Sequence, residues 1–152
     1  MADTGDILPD AVLKNAAGDD VAISSYRGAP MVLFFYPKAN TPGCTTESID
    51  FSQNLDAFAK LGYRVAGVSK DAPRKLASFA AKHDLTVDLL SDEDGGFLEA
   101  MGVWVEKQNY GKTYMGIERT TMLIDAEGRI THVWRKVRVK DHAATVLATA
   151  QG

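Results

Sequence analysis

The sequence predicts a three-layer α/β fold with a mixed central sheet, and three observations carry that expectation. Two apolar runs, residues 31–36 (MVLFFY) and 63–69 (YRVAGVS), are each followed by a stretch of helical periodicity, a βαβα alternation of the kind that builds parallel strands. Residues 119–125 (RTTMLID) and 129–134 (RITHVW) then read as two strands joined by the turn Ala126-Glu127-Gly128, which adds antiparallel pairing. With 152 residues, 45% of them hydrophobic and 24% charged, the chain can bury a core of its own, so one domain over 1–152 is expected, without repeat, linker or low-complexity tract.

In chain order, two short strand-like pieces around Val12-Leu13 and at 21–23 flank the turn residues Gly18-Asp19-Asp20, which predicts an N-terminal hairpin. The continuous apolar run 31–36 reads as a strand buried on both faces, and Pro37 ends it. Thr41-Pro42-Gly43 reads as a helix start, with Thr41 as N-cap, Pro42 at the first helical position and the acids Glu47 and Asp50 close behind. Cys44 then falls in the first turn, where its thiol is expected to be exposed. Phe51, Leu55 and Phe58 continue one face of that helix, and Gly62 closes it.

After the second strand, Lys70-Asp71-Ala72-Pro73 turns into a helix with Leu76, Phe79 and Ala80 on one face. Residues 87–90 form a short strand, 91–96 (SDEDGG) a loop, 97–101 a brief helix, and 108–116 a polar, glycine-containing loop. A last helix is expected over 143–150.

Charge and composition exclude several classes of function. A net charge of −3 gives no electrostatic footprint for nucleic acid or an anionic membrane. The N-terminus lacks a basic, then apolar, leader, and no apolar run approaches the ~20 residues of a membrane span, so a soluble cytoplasmic protein is expected. One cysteine can form no internal disulfide and no CxxC pair, which fits a reducing compartment. His83, His132 and His142 are too scattered for a metal-ligand motif, and none sits in a context that marks a Cys–His hydrolase. Arg135, Lys136, Arg138 and Lys140 alternate with valines, as in a solvated face of an extended segment, and Trp104, Tyr110 and Trp134 read as core or loop anchors.

Cys44 has two readings. A lone cysteine is commonly a small buried hydrophobe. A helix N-terminus, however, offers unpaired N–H groups and a partial positive charge, both of which favour thiolate over thiol. A strand ended by proline, a hydroxyl three residues before the sulfur and a helix start together favour the reactive reading.

The segment P-K-A-N-T-P-G-C, with Pro37, Thr41 and Cys44, resembles the PxxxTxxC motif of peroxiredoxins, and its T-P-G-C-T form is similar to the bacterioferritin comigratory protein or PrxQ branch. The likeness runs along nearly the whole chain, through FFYPK, VSKDAP, LLSDEDG, ERTTMLID and VWRKVRVKDH. It implies a thioredoxin-like fold and no cofactor or metal. It implies that Cys44 is the peroxidatic cysteine, that Thr41 and Arg119 contact the peroxide, that Pro37 shields the thiolate and that Glu47 orients an arginine. Many members of that branch carry a second, resolving cysteine. Here the position five residues after Cys44 is Ile49 and the helix after Pro73 has none, which resembles the one-cysteine subgroup.

The implied reaction is attack of thiolate on one peroxide oxygen while the other leaves. Lowering a thiol pKa from ~8.5 to ~6 raises the thiolate fraction at pH 7 only about thirtyfold, roughly 2 kcal/mol, and makes the sulfur less nucleophilic. The larger contribution is expected from donors fixed around the stretching O–O bond: Arg119, the Thr41 hydroxyl and the first-turn N–H groups. The resemblance implies hydrogen peroxide or an alkyl hydroperoxide as substrate. A sulfenic acid with no second cysteine must be reduced by an external thiol such as thioredoxin or glutaredoxin. A monomer is expected, with a Cys44-linked dimer as an oxidation side product and neither nucleic acid nor membrane as partner. A thiol-dependent sensor and a holdase chaperone are the competing readings of the same fold.

Overall fold

A computed structural model of the chain describes residues 2–152. Among these the elements run β1 Val12–Asn15, β2 Asp20–Ala22, a 3-10 turn Ile23–Tyr26, β3 Met31–Phe35, α1 Pro42–Gln53, α2 Leu55–Lys60, β4 Arg64–Ser69, α3 Pro73–His83 and β5 Asp88–Ser91. They continue with α4 Gly96–Ala100, β6 Trp104–Asn109, β7 Lys112–Ile117, β8 Thr120–Ile124, β9 Ile130–Trp134 and α5 His142–Gln151.

The main sheet has the order β2-β1-β5-β4-β3-β8-β9. β3, β4 and β5 are parallel neighbours, each pair joined by a helical crossover as parallel pairing requires. β8 and β9 add antiparallel strands on one side, and β1 and β2 do so on the other. The sheet is therefore mixed, as expected. Strand alternation divides β3 between two cores. Met31, Leu33 and Phe35 pack with Ala66, Val68, Leu90, Met122 and Ile124, under Ile23, Tyr26, Phe97 and Leu98. Val32, Phe34 and Tyr36 pack with Val65, Leu89 and Leu123, under Phe51, Phe58, Leu76, Phe79 and Val146 of α1, α2, α3 and α5. The two outer layers are thus unequal: four helices on one face, and a 3-10 turn, α4 and irregular chain on the other.

Gly67 of β4 lies directly across from Phe34. A Cβ there would sit 2.5 Å from the Phe34 ring, so only glycine lets that ring lie down and stack on Phe51 of α1, centroids 4.7 Å apart.

Four sequence expectations change. The helix expected to run to Gly62 breaks at Asn54, whose side-chain amide donates to the Asp50 carbonyl at 2.8 Å. An asparagine bonding to its own turn competes with helix propagation, yet Phe51 and Phe58 both stay buried. Residues 108–116, expected as a loop, belong to the hairpin β6–β7, whose turn Tyr110-Gly111 has φ of 51° and 77°. Those positive angles suit a two-residue hairpin connection. Tyr110 at its tip is 99% exposed and anchors nothing, whereas Trp104 and Trp134 do pack against the cores. Finally, Lys136, Arg138 and Lys140 are exposed between half-buried Val137 and Val139 as expected, but Arg135 turns inward and donates to the Ala2 carbonyl at 2.6 Å.

Candidate active site

β3 delivers the chain to Pro37 at the edge of a crevice. The loop that follows is tied to the end of β4: Asp71 Oδ2 accepts the Ala39 N–H at 2.7 Å and the Ser69 hydroxyl at 2.8 Å. Thr41 has the extended backbone of an N-cap (φ −89°, ψ 153°), and Pro42 opens α1. Its hydroxyl does not cap the helix as expected; it donates to the Lys38 carbonyl at 2.7 Å and so braces the loop. The first i to i−4 bond of α1 is Thr45 N–H to the Thr41 carbonyl, which leaves the Gly43 and Cys44 N–H groups ahead of the helical ladder.

Cys44 lies in the first turn, but its thiol is not exposed: the residue is 1% accessible and packs in the core beneath α1. Arg119 Nη2 donates to Cys44 Sγ at 3.2 Å, and Nη1 donates to Glu47 Oε1 at 2.8 Å. One planar guanidinium thus spans both groups. Cys44 and Glu47 share a face of α1 by their i, i+3 spacing, one turn apart, so Glu47 is a second-turn residue held by Arg119 and not a dipole-favoured first-turn acid. Burial raises the Glu47 carboxyl to about pKa 7 against the opposing pull of Arg119, and its Oε2 has no partner among the described residues.

Arg119 immediately precedes β8, whose Thr120 pairs with Phe35, and this register brings the arginine to the Pro37 end of β3. Its carbonyl accepts the Val137 N–H at 3.0 Å. Gly43 makes room for it, since a Cβ at that position would lie 3.1 Å from Arg119 Nη2. The motif holds that glycine in view, but only the packing shows what it clears.

The structure thus brings together Cys44, Glu47 and Arg119, with Thr41 at the loop that leads to them. Pro37 is half-buried and lines a groove of about 570 Å³ between the β6–β7 hairpin and the start of α3. His142 belongs elsewhere: its Nε2 meets the Thr121 hydroxyl at 2.8 Å, its ring meets Phe51 and Trp134 edge-on, and burial with the nearby Arg119 lowers its pKa to about 4. A neutral imidazole committed to Thr121 is no Cys–His base. No group of three or more His, Cys, Asp or Glu that could hold a metal occurs among the described residues. Nothing in the sequence marked the His142–Thr121 contact, which depends on α5 crossing β8.

A buried thiol with a guanidinium against its sulfur and free N–H groups at its helix end is equipped to stabilise negative charge on sulfur and on an oxygen beside it. The AhpC/TSA family matches residues 4–133 of the chain. Peroxiredoxin Bcp of Bacillus subtilis is 50% identical over 145 residues, covering 95% of this chain and 92% of its own. PrxQ of Xylella fastidiosa, solved as a cysteine-to-serine variant, superposes with a TM-score of 0.94 at 37% identity, covering 99% of this chain and 96% of its own. The bacterioferritin comigratory protein of Xanthomonas campestris, studied for alkyl peroxide reduction in trapped intermediate and ligand complexes, gives 0.88 at 40% identity, covering 93% and 90%.

Proposed function

The chain belongs to the AhpC/TSA family and, within it, to the Bcp/PrxQ peroxiredoxins, and from that premise we propose that Cys44 is the peroxidatic cysteine of a thiol-dependent peroxidase, with Arg119, Thr41, Pro37 and Glu47 as its supporting residues. The observation that carries the assignment is the single guanidinium that touches both Cys44 Sγ and Glu47. Glu47 holds Arg119 in plane and in register; Arg119 presents one edge to the thiolate and to the peroxide oxygen beside it, which a lysine point charge could not do.

In the reaction, Cys44 sulfur attacks one oxygen of hydrogen peroxide or an alkyl hydroperoxide. The S–O bond forms as the O–O bond breaks, and the departing hydroxide or alkoxide takes up a proton. The Gly43 and Cys44 N–H groups and Arg119 stabilise the negative charge as it spreads over both oxygens. Because the Thr41 proton is engaged by the Lys38 carbonyl, its oxygen serves as acceptor for the peroxide O–H and orients the attacked oxygen, a reversal of the donor role expected from sequence. Pro37 walls the crevice on the groove side.

The product is a Cys44 sulfenic acid. With no second cysteine in the sequence, an external thiol returns it to thiolate. The reading is that of one monomeric domain working in the cytoplasm without cofactor, nucleic acid or membrane partner; among the described residues no helix is long and apolar enough to cross a membrane. Steady-state peroxide consumption with an external reductant tests it. Many equivalents consumed per chain support the peroxidase, and a halt at about one equivalent replaces it with a sensor.

A further inference from the structure

We propose that the groove beside Pro37 binds an anionic, carboxylate-bearing low-molecular-weight thiol, which is the reductant of oxidised Cys44; the inference rests on the peroxidase reading above. The groove is lined by Lys38, Lys70, Arg74, Lys75 and Lys107 against a single carboxylate, Asp71, in a chain whose net charge is −3. Asp71 already accepts two hydrogen bonds through Oδ2, and Lys70 donates to the Glu93 carbonyl and lies over Trp104. Lys38, Arg74, Lys75 and Lys107 have no ion-pair partner among the described residues.

Pro37 connects the groove to the thiol: it lines the groove and opens the loop that leads through Thr41 to Cys44, at the end of β3 to which the Phe35–Thr120 pairing brings Arg119. Lys107 is half-buried and crosses the face of Gly116 inside the groove, where a Cβ would lie 3.3 Å from its Cδ. Trp104, Tyr114 and Met115 give the groove an apolar side. A volume of about 570 Å³ is that of a small-molecule site and far exceeds what a peroxide group needs. Unpaired cations in such a recess concentrate carboxylates, and the thiolates attached to them, beside the oxidised sulfur.

The chemistry balances with two equivalents of thiol. In the first step the thiolate sulfur bonds to Cys44 Sγ, the S–O bond breaks, and hydroxide leaves to become water. In the second, another thiolate attacks the carried sulfur, Cys44 departs as thiolate, and the two thiols leave as their disulfide. The two electrons that reduce Cys44 come from that pair.

The test is single-turnover reduction of peroxide-oxidised protein by glutathione and by glutathione diethyl ester, compared at equal thiolate concentration. These probes share a sulfhydryl and differ in their carboxylates. Glutathione should react about tenfold or more faster, and the ratio should fall toward one in high salt and in the double variant R74E/K75E. Using the ratio within each protein cancels any general loss in the variant. A ratio near one in the unaltered protein, or a ratio indifferent to R74E/K75E, overturns the proposal. So does a charge preference seen only when Cys44 is oxidised by a carboxylate-bearing hydroperoxide and not when it is reduced, which would make the groove a peroxide site. Absence of any peroxide step would overturn the peroxidase reading itself, an outcome distinguishable because Cys44 oxidation is followed before thiol is added.

Discussion

The two faces of β3 are made by one five-residue strand and are put to different uses. Met31, Leu33 and Phe35 look into a core of aliphatic and aromatic side chains closed by the 3-10 turn and α4. Val32 and Phe34, with Tyr36 just beyond, look toward α1, where Cys44, Glu47 and Ser48 are all buried, and where Tyr36 Oη, Glu47 Oε2 and Ser48 Oγ lack partners among the described residues. Each buried unpaired polar atom costs on the order of 1–3 kcal/mol. The face proposed to carry the chemistry is the one that bears such costs, and the other face holds the strand in place.

Substitutions at Cys44 and Leu33 sharpen that contrast most. Cys44→Ser should reduce peroxide consumption to background, measured by stopped flow. Because the site is buried and not exposed as the sequence suggested, it should also lower stability by about 1–2 kcal/mol in a denaturant titration. Arg119→Lys should lower kcat/KM for peroxide by about a hundredfold while keeping the charge; a loss under about threefold would show that the guanidinium is mainly structural. On the opposite face, Leu33→Ala should cost about 2–5 kcal/mol of stability with kcat/KM changed little, and a comparable loss of activity would break the division between faces. Gly43→Ala, which crowds Arg119 without touching sulfur, should reduce kcat/KM by several-fold at near-wild-type stability.

The smallest effect is one of pH. Glu47 is raised from 4.5 to about 7, so the folded state holds its proton longer than the unfolded chain, and the contribution present below pH 4.5 is lost as pH rises toward 7. His142 is lowered from 6.5 to about 4, so its contribution is complete above pH 6.5 and is lost as pH falls toward 4. The two oppose each other between about pH 4.5 and 6.5. Stability should be nearly flat there, Glu47→Gln should make it rise with pH, and His142→Gln should make it fall. Parallel slopes in all three proteins, followed by urea unfolding, would remove both groups from the account.

Much of this was legible from residue patterns because burial writes itself into them. The run at 31–36, the proline that ends it and the helix start at Thr41-Pro42 all have local causes. Arg119 joined the site only through the motif likeness, since 75 residues separate it from Cys44 and register across β3 and β8 brings them together. Residues 108–116 read as a loop because the hairpin they belong to buries little and so shows no apolar alternation there; Gly111 in its turn is the available signal. Cys44 was expected at the surface because a first turn is usually open. Here the first turn packs Cys44 into the core that also holds Phe34 and Tyr36, a tertiary effect that helix signals do not contain.

Cys44 is the only thiol of the chain and is 1% accessible, which gives the protein a clock of its own. A bulky alkylating reagent, like the reducing thiol, reaches the sulfur only when the structure opens around it, so its labelling reports those moments. At high reagent concentration the labelling rate is the opening rate, and at low concentration it gives the open population. Motion around the crevice can therefore be timed in the unaltered protein, with no introduced probe and no second site to confuse the count.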